Sequence, residues 1–391
     1  MKDQIELQSF KPPHWTTATL GEVATVVNGG TPKSKVAEYW DGDVQWLTPK
    51  DMGQMEGREI SATPRTISAT GLAKSSARLV PPQSVILSTR APIGHLAINS
   101  VPMAFNQGCR GIVPGKRLDH IFLYYFLAAN RQTLDDLGSG TTFKELSATN
   151  LRAVELPLPP LEEQKRIVAV LDQAFAALER ARANAGANLA DAQELFDCWL
   201  AAAFKFGAAY WPKKTLPEVS ENLDRLRVPI TKIDRKSGDV PYYGASGVVD
   251  HVAEHIFDED LLLVSEDGAN LLARTYPIAF SISGKAWVNN HAHVLRFEDP
   301  DSQEFVRLYL NSISLKPWVS GMAQPKLNQS ALSSIPLPYP DATDRKRIVE
   351  EAAEIWTGVE AARANYDAQI NDVSALRESL LQQAFSGRLT A

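Results

Sequence analysis

No stretch of this chain approaches the roughly 20 consecutive apolar residues that a membrane-spanning helix needs. Cysteine is nearly absent. The two present, Cys109 and Cys198, have neither metal-ligand spacing nor the density of a disulfide scaffold. The amino end, Met1-Lys2-Asp3-Gln4-Ile5-Glu6, is polar, so no secretory leader is read there and the expected location is the cytoplasm. The glycine-rich stretch Gly138-Ser139-Gly140-Thr141-Thr142-Phe143-Lys144 lacks a glycine before its lysine and a Ser or Thr after it, which excludes a phosphate-cradling loop. No His-Glu-x-x-His pattern, no Asp/Asn-Pro-Pro-aromatic turn and no glycine-rich cofactor loop between strand and helix occurs. No catalytic residue and no resident metal are expected. The histidine pairs His251/His255 and His291/His293 read as surface or nucleic-acid-facing groups.

An excess of positive charge is also missing. Lys and Arg total 40 against 46 Asp and Glu, a net charge of −6. The deficit is localised. Residues 1–160 carry 16 basic and 14 acidic side chains, and 205–340 carry 14 and 16, so these two segments cancel. Residues 161–204 carry 4 and 7, and 341–391 carry 6 and 9. A protein holding nucleic acid unaided is usually more basic, so a partner supplying phosphate contacts is expected.

What is present in quantity is a repeat. Leu156-Pro157-Leu158-Pro159-Pro160 followed by Lys165-Arg166-Ile167-Val168 returns as Leu337-Pro338-Tyr339-Pro340 followed by Lys346-Arg347-Ile348-Val349, at a constant offset of 181 residues. The offset holds without a gap from Gly140/Gly321 to Ala203-Phe204/Ala384-Phe385. Intolerance of insertions over such a length is how packed helices behave. Each copy carries a heptad stripe. The expected seam includes Ile167, Leu171, Leu178, Asn188, Leu195 and Trp199 in the first, and Ile348, Ile355, Val359, Gln369, Leu376 and Leu380 in the second. Asn188 and Gln369 are equivalent polar positions, either a register-fixing pair or snorkelling groups at a loosely packed middle, which Gly186 would favour. Pro159 and Pro160 suit a helix start, Glu162 and Glu163 its first turn, and Asp341 an N-cap.

Upstream of each helix lies a loop-rich segment, and these also correspond: Trp15 to Val23 aligns with Trp211 to Val219 at offset 196. The order is globule, helix, globule, helix, with boundaries at 1–155, 156–206, 207–336 and 337–391. The fold class is α+β: two mixed α/β domains separated by two long helices. Chain order makes those helices an antiparallel coiled coil with a pseudo-two-fold internal repeat. Val44–Leu47, Ser84–Ser88 and Leu261–Val264 read as buried strands, Phe122–Ala129 as a short helix, and Ala286–Val294 as one strand or strand edge.

Basic loops interleaved with amides and aromatics are the candidates for reading nucleic acid. In the first globule these are Lys33, Lys35, Lys50, Arg58, Arg90, Asn106, Gln107, Arg110, Thr142 and Lys144. In the second they are Arg225, Arg227, Lys232, Lys236, Tyr242, Tyr243, Arg274, Lys285, Asn290 and His291, with Asn289 beside them.

The doubled proline-rich start, Asn28-Gly29-Gly30-Thr31-Pro32-Lys33, Tyr39 to Trp46, Asn106-Gln107-Gly108, Pro241-Tyr242-Tyr243-Gly244-Ala245-Ser246-Gly247 and Gln383 to Leu389 together resemble the specificity subunit of Type I restriction–modification systems. The resemblance covers essentially the whole chain. It implies a non-catalytic reader of double-stranded DNA, each globule being a target-recognition domain for one half of a split site. It also implies spacer helices that dock two methyltransferase (modification) subunits, and a motor–nuclease (restriction) subunit in the complex. S-adenosylmethionine, ATP and Mg2+ are then expected on those partners and none on this chain. The second repeat departs from the pattern, with Asp341-Ala342-Thr343-Asp344-Arg345 in place of Pro-Leu-x-Glu-Gln. The alternative from another class is a coiled-coil scaffold whose globules bind proteins.

Overall fold

A computed structural model describes residue 12 and residues 14–90, 92–140, 144–321 and 324–389. The chain divides into two compact units, Met1–Ala183 with Ala368–Ala391, and Asn184–Asp367. Two helices dominate, Leu161–Tyr210 and Ala342–Phe385. Among the described residues no helix is long and apolar enough to cross a membrane.

In the first unit a five-stranded sheet runs in the order Ala24–Asn28, Cys109–Pro114, Val85–Ser88, Leu96–Asn99, Glu59–Ile60. A second sheet pairs Trp40–Leu47 with Thr66–Ile67 on one side and, in parallel, with Met103–Phe105 on the other. The second unit repeats this plan. Glu221–Asn222, Ala292–Arg296, Leu261–Ser265 and Ala279–Ile282 form an antiparallel sheet, and Val240–Gly244 lies parallel to Lys285–Val288. The stretch read as one strand over 286–294 is therefore two, broken at Asn289-Asn290-His291. The Asn289 side-chain oxygen accepts the His291 N–H at 2.8 Å, which turns the backbone out of the ladder.

Each globule is closed by a short ladder at the foot of its helix. Thr16–Thr19 pairs antiparallel with Glu155–Leu158, and Lys213–Lys214 with Leu337–Pro338. The proline segments are thus edge strands first and helix starts second, a place where a missing N–H is tolerated. Behind the sheets lie the helices His120–Ala129 and Pro300–Ser312, N-capped by Asp119 and Asp299. In the first unit Phe122 and Phe126 pack edge-on to Phe385, and Tyr125 to Phe175. In the second, Phe305 and Tyr309 pack on Phe204.

The departure noted in the second repeat has a structural counterpart. Gln164 is buried; its amide donates to the carbonyls of Pro159 (2.9 Å) and Arg117 (2.8 Å) and its oxygen accepts the Asp119 N–H. The equivalent Arg345 donates to the Pro340 carbonyl at 2.7 Å and meets the Asp299 carboxylate at 4.0 Å. A guanidinium and an amide perform the same tie between helix start and capping aspartate. Asp341 caps its helix as expected, accepting the Asp344 N–H at 3.0 Å.

The helices pack antiparallel within each unit. Phe196 meets Trp356 with ring centroids 4.9 Å apart in the second unit, where Gly186 also faces Tyr366. In the first, Arg377 lies over Phe175 and 3.6 Å from Glu179. Of the expected seam, Ile167, Leu171, Ile348 and Val359 are buried and Leu178, Trp199, Ile355 and Leu380 partly so. Four positions are corrected. Leu195 is 66% and Leu376 48% exposed, and Asn188 and Gln369 are exposed as well. In the first helix half the stripe lies one residue further on, at Val168, Phe175 and Phe196. Asn188 and Gln369 therefore do not form a buried polar pair.

Candidate nucleic-acid interface

Three loops converge in each unit. In the first, Thr89-Arg90 leaves the strand Val85–Ser88, Asn106-Gln107-Gly108 leaves Met103–Phe105, and Ser139 and Glu145 bridge beside them. The Thr89 N–H donates to the Gly108 carbonyl (2.7 Å), the Leu146 N–H to the Thr89 carbonyl (3.0 Å) and the Gly108 N–H to the Asn106 side chain (3.0 Å). In the second, the Glu266 N–H donates to the His291 carbonyl (2.9 Å), the Leu327 N–H to the Glu266 carbonyl (2.7 Å) and the His291 N–H to Asn289. Isolated bridges tie Arg90 and Ser139 to Glu145, and Asp267 and Ser320 to Lys326. One backbone frame is built twice, and the side chains on it differ.

Around the first frame, Gly29-Gly30 brings a fourth loop in. The Gly30 N–H donates to the Phe105 carbonyl at 2.9 Å, and a Cβ on Gly29 would sit 1.9 Å from the Asn106 carbonyl oxygen. Only glycine permits that approach. Thr31 consequently donates to the side-chain oxygen of Gln107. Lys33 and Lys35 follow, exposed and without an ion pair among the described residues, and Lys50 is exposed in the first turn of Pro49–Met52. Arg90 and Arg110 share the Glu145 carboxylate, at 2.7 and 3.2 Å. The Arg90 hydrogen bond, with the charge of both arginines, holds the Glu145 carboxyl below the usual range against a raising effect of burial. Lys144 pairs with Asp135 at 2.6 Å. Thr142 lies outside the described residues. Burial pushes the neighbouring Cys109 thiol up to about 12, so it is inert at neutral pH.

Around the second frame, Asn290 and His291 stand exposed at the turn, and Asp267 takes the His291 Nδ1 between its oxygens at 2.9 and 3.0 Å. His291 and Asp267, with Val249, Asn270 and Tyr276, line an open cleft of about 530 Å³. Lys232 and Lys285 are exposed, Arg225 meets Glu221 at 3.7 Å and Lys236 meets Glu254 at 3.4 Å. Tyr243 is half buried against Phe280.

Four candidates are engaged internally. Arg58 donates to both oxygens of Asp172 (2.5 and 3.0 Å) and to the Tyr125 hydroxyl (2.8 Å), latching the first domain to its helix. Burial works to raise the Asp172 carboxyl; the Arg58 and Tyr125 hydrogen bonds outweigh it and leave the carboxyl below its ordinary value. Arg227 donates to Glu266 and to the Ala292 carbonyl, both at 2.7 Å. Arg274 is turned into the carbonyls of Leu310, Asn311 and Ile313 at the end of Pro300–Ser312, where a cation suits the helix dipole. Tyr242 is buried beneath Arg235.

His293, expected at the surface, is 1% exposed. Its Nδ1 lies 2.6 Å from Asp224 and its Nε2 2.8 Å from the Leu327 carbonyl. Each ring nitrogen thus faces a hydrogen-bond acceptor. Asp224, Glu266 and His293 offer ligand atoms within 4.8 Å of one another. The His293 nitrogens are engaged by Asp224 and the Leu327 carbonyl, and Arg227 (2.7 Å) and Lys326 (3.1 Å) pair with Glu266, so the three groups have partners without a metal. This is a charge network that fixes the second frame, in the strand position where the first frame has Arg110. Burial works to raise both carboxyls and the surrounding cations overcome it, so Asp224 and Glu266 lie below their ordinary values. Their contribution to stability is therefore present above the ordinary carboxylate range, about 4, and is lost as pH falls below it. Replacing His293 with leucine should cost about 3 kcal/mol, because the buried Asp224 carboxylate loses its shortest hydrogen-bond partner and keeps only the more distant Arg227. Denaturant midpoints of wild type and variant measure this.

The family model described as Type I restriction modification DNA specificity domain matches residues 12–185 and 210–351. The chain belongs to this family. A Methanocaldococcus jannaschii Type I restriction enzyme specificity subunit, MjaIX, is 35% identical over 190 residues, 48% of this chain and 44% of that protein. The Escherichia coli EcoprrI specificity subunit is 24% identical over 338 residues, 82% of each chain. The chain thus spans under half of the first of these relatives and most of the second. Among solved structures, a chain described under complex assembly and conformational transition of the type I R-M system matches with TM-score 0.72 at 17% identity, covering 97% of this chain and 99% of that one. The HsdS subunit from Thermoanaerobacter tengcongensis matches with TM-score 0.61 at 19% identity, covering 99% and 100%. At these identities the likeness is one of fold. The doubled frame of this specificity protein was not visible in its sequence motifs; the two Asn-turns and the 181-residue offset between Glu145 and Lys326 were the available signals.

Proposed function

We propose that this chain reads an asymmetric, bipartite double-stranded DNA target for a Type I restriction–modification complex, one domain per half-site, and performs no catalysis itself. Its helices dock two methyltransferase subunits, which carry S-adenosylmethionine, and a motor–nuclease subunit contributes ATP and Mg2+ chemistry. The observation that supports this best is the frame built twice with different side chains, which is what one protein needs to read two different sequences with one fold. The acidic balance of both helix segments suits protein partners better than phosphates. The complex acts in the cytoplasm, where its DNA is.

Binding of DNA fragments by the chain alone and with its modification subunit tests the reading. Sequence-specific binding is expected with the partner present. Indifference to DNA in both states would leave a protein-binding scaffold instead.

Lys33 and Lys35 give a narrower test. Changing both to alanine should weaken binding to all sequences alike and flatten the dependence of log affinity on log salt by up to about two units. A salt titration by fluorescence anisotropy measures it, and an unchanged slope would place both lysines away from the phosphates.

A further inference from the structure

The two frames differ most sharply at one place. In the first unit Arg90 stands beside Gly108, whose Cβ position would be 3.8 Å from the Arg90 Cβ. In the second unit the residue equivalent to Arg90 is Asp267 and the residue equivalent to Gly108 is His291. The side chain that projects therefore comes from the opposite loop. Arg90 and His291 are each about half exposed, and each is held from behind by a carboxylate, Glu145 or Asp267.

The two groups offer opposite hydrogen-bonding chemistry. A guanidinium only donates; Glu145 takes one of its N–H groups and about half of the side chain stays exposed. In the major groove the matching edge is guanine, with acceptors at N7 and O6. The His291 Nδ1 faces the Asp267 carboxylate, and the tautomer that donates from Nδ1 leaves Nε2 with its lone pair, an acceptor. The matching edges are the amino groups of adenine N6 and cytosine N4. We propose that Arg90 and His291 are specificity-determining residues at equivalent steps of the two half-sites. Arg90 selects guanine in one half, and His291, oriented by Asp267, selects an amino-bearing base in the other. This rests on the DNA-reading function proposed above.

The test uses the full chain assembled with its modification subunit, selecting from randomised duplex DNA and, in parallel, mapping methylated sites in a host. The wild-type target should contain a guanine in one half and an adenine or cytosine in the other that respond to these residues. Arg90→Gln should move that guanine towards adenine, and His291→Arg should move its base to guanine. Each change should exceed about tenfold in preference at one position and leave the opposite half as it was. Arg90→Lys should keep affinity for phosphates while blunting the guanine preference. Targets identical to wild type in Arg90→Gln and His291→Arg would overturn the proposal while leaving the DNA-reading function intact. So would loss of selection in both halves by Arg90→Gln and Arg90→Lys alike, since removing one base reader costs one position. If the wild-type complex selects no bipartite sequence at all, the failure belongs to the function and not to these two residues.

Discussion

Grafting residues 14–158 from a relative with another target is expected to replace one half of the recognised sequence completely, with the other half and the spacer between them retained. The ends of the graft follow from the ladder between Thr16–Thr19 and Glu155–Leu158, which brings both ends of the first domain together at the foot of its helix. A cut inside that ladder would leave one strand without its partner. The graft must also meet the helix correctly. Asp172 receives Arg58 and Tyr125, and Gln164 receives the Asp119 N–H, so the incoming domain needs groups able to make these contacts. Asp172 is about a third exposed, so losing its arginine costs about 1 kcal/mol after solvent screening. Sequencing the methylated sites of a host carrying the chimera reads the result directly. A change in both halves would mean that the domains do not read independently, and a change in neither would place recognition outside residues 14–158.

Much of the architecture was legible because the repeat states it twice. An offset of 181 without gaps marks rigid helices, and the strands Val85–Ser88 and Leu261–Ser265 fall where short buried apolar runs predict them. The seam was read one residue out of place over much of the first helix for a physical reason. Near its start both Ile167 and Val168 are buried, because the first domain packs there against a wide face. A stripe traced from Ile167 therefore runs beside the narrow seam that Phe175 and Phe196 mark further along. The interface was legible only as a population of loops. Sequence cannot distinguish Arg90, presented at the surface, from Arg58, bound to an aspartate 114 positions away in the chain. Nor can it place His293 between the Asp224 carboxylate and the Leu327 carbonyl when neither lies near it in sequence. The turn at Asn289-Asn290 did carry a local signal, since paired asparagines favour turns over strand interiors.

The second large effect concerns spacing. Under the proposed function the two half-sites are held a fixed distance apart by the helices, so helix length should act as a ruler. Removing residues 182–188 and 363–369 takes one heptad from each helix and keeps the stripe in phase. These segments include the exposed residues 182–184 and 363–365, with Ala185 the one buried side chain removed, so little packing is lost directly. Seven residues shorten a helix by about 10 Å, which is about three base pairs at roughly 3.4 Å each. Both half-site sequences should be unchanged, because neither three-loop frame has been touched, while the preferred spacer shortens by about that amount. The same shortening also rotates one half-site by about 100° at roughly 10.5 base pairs per turn. The selected spacer should consequently settle at the shorter length where the groove faces match again, and affinity should drop even at the best spacer. Selection of the assembled complex on a library of duplexes with fixed half-sites and variable spacers reads distance and affinity together. An unchanged spacer at full affinity would refute the ruler, since the separation of the half-sites would then be set by the partner subunits rather than by this pair of helices.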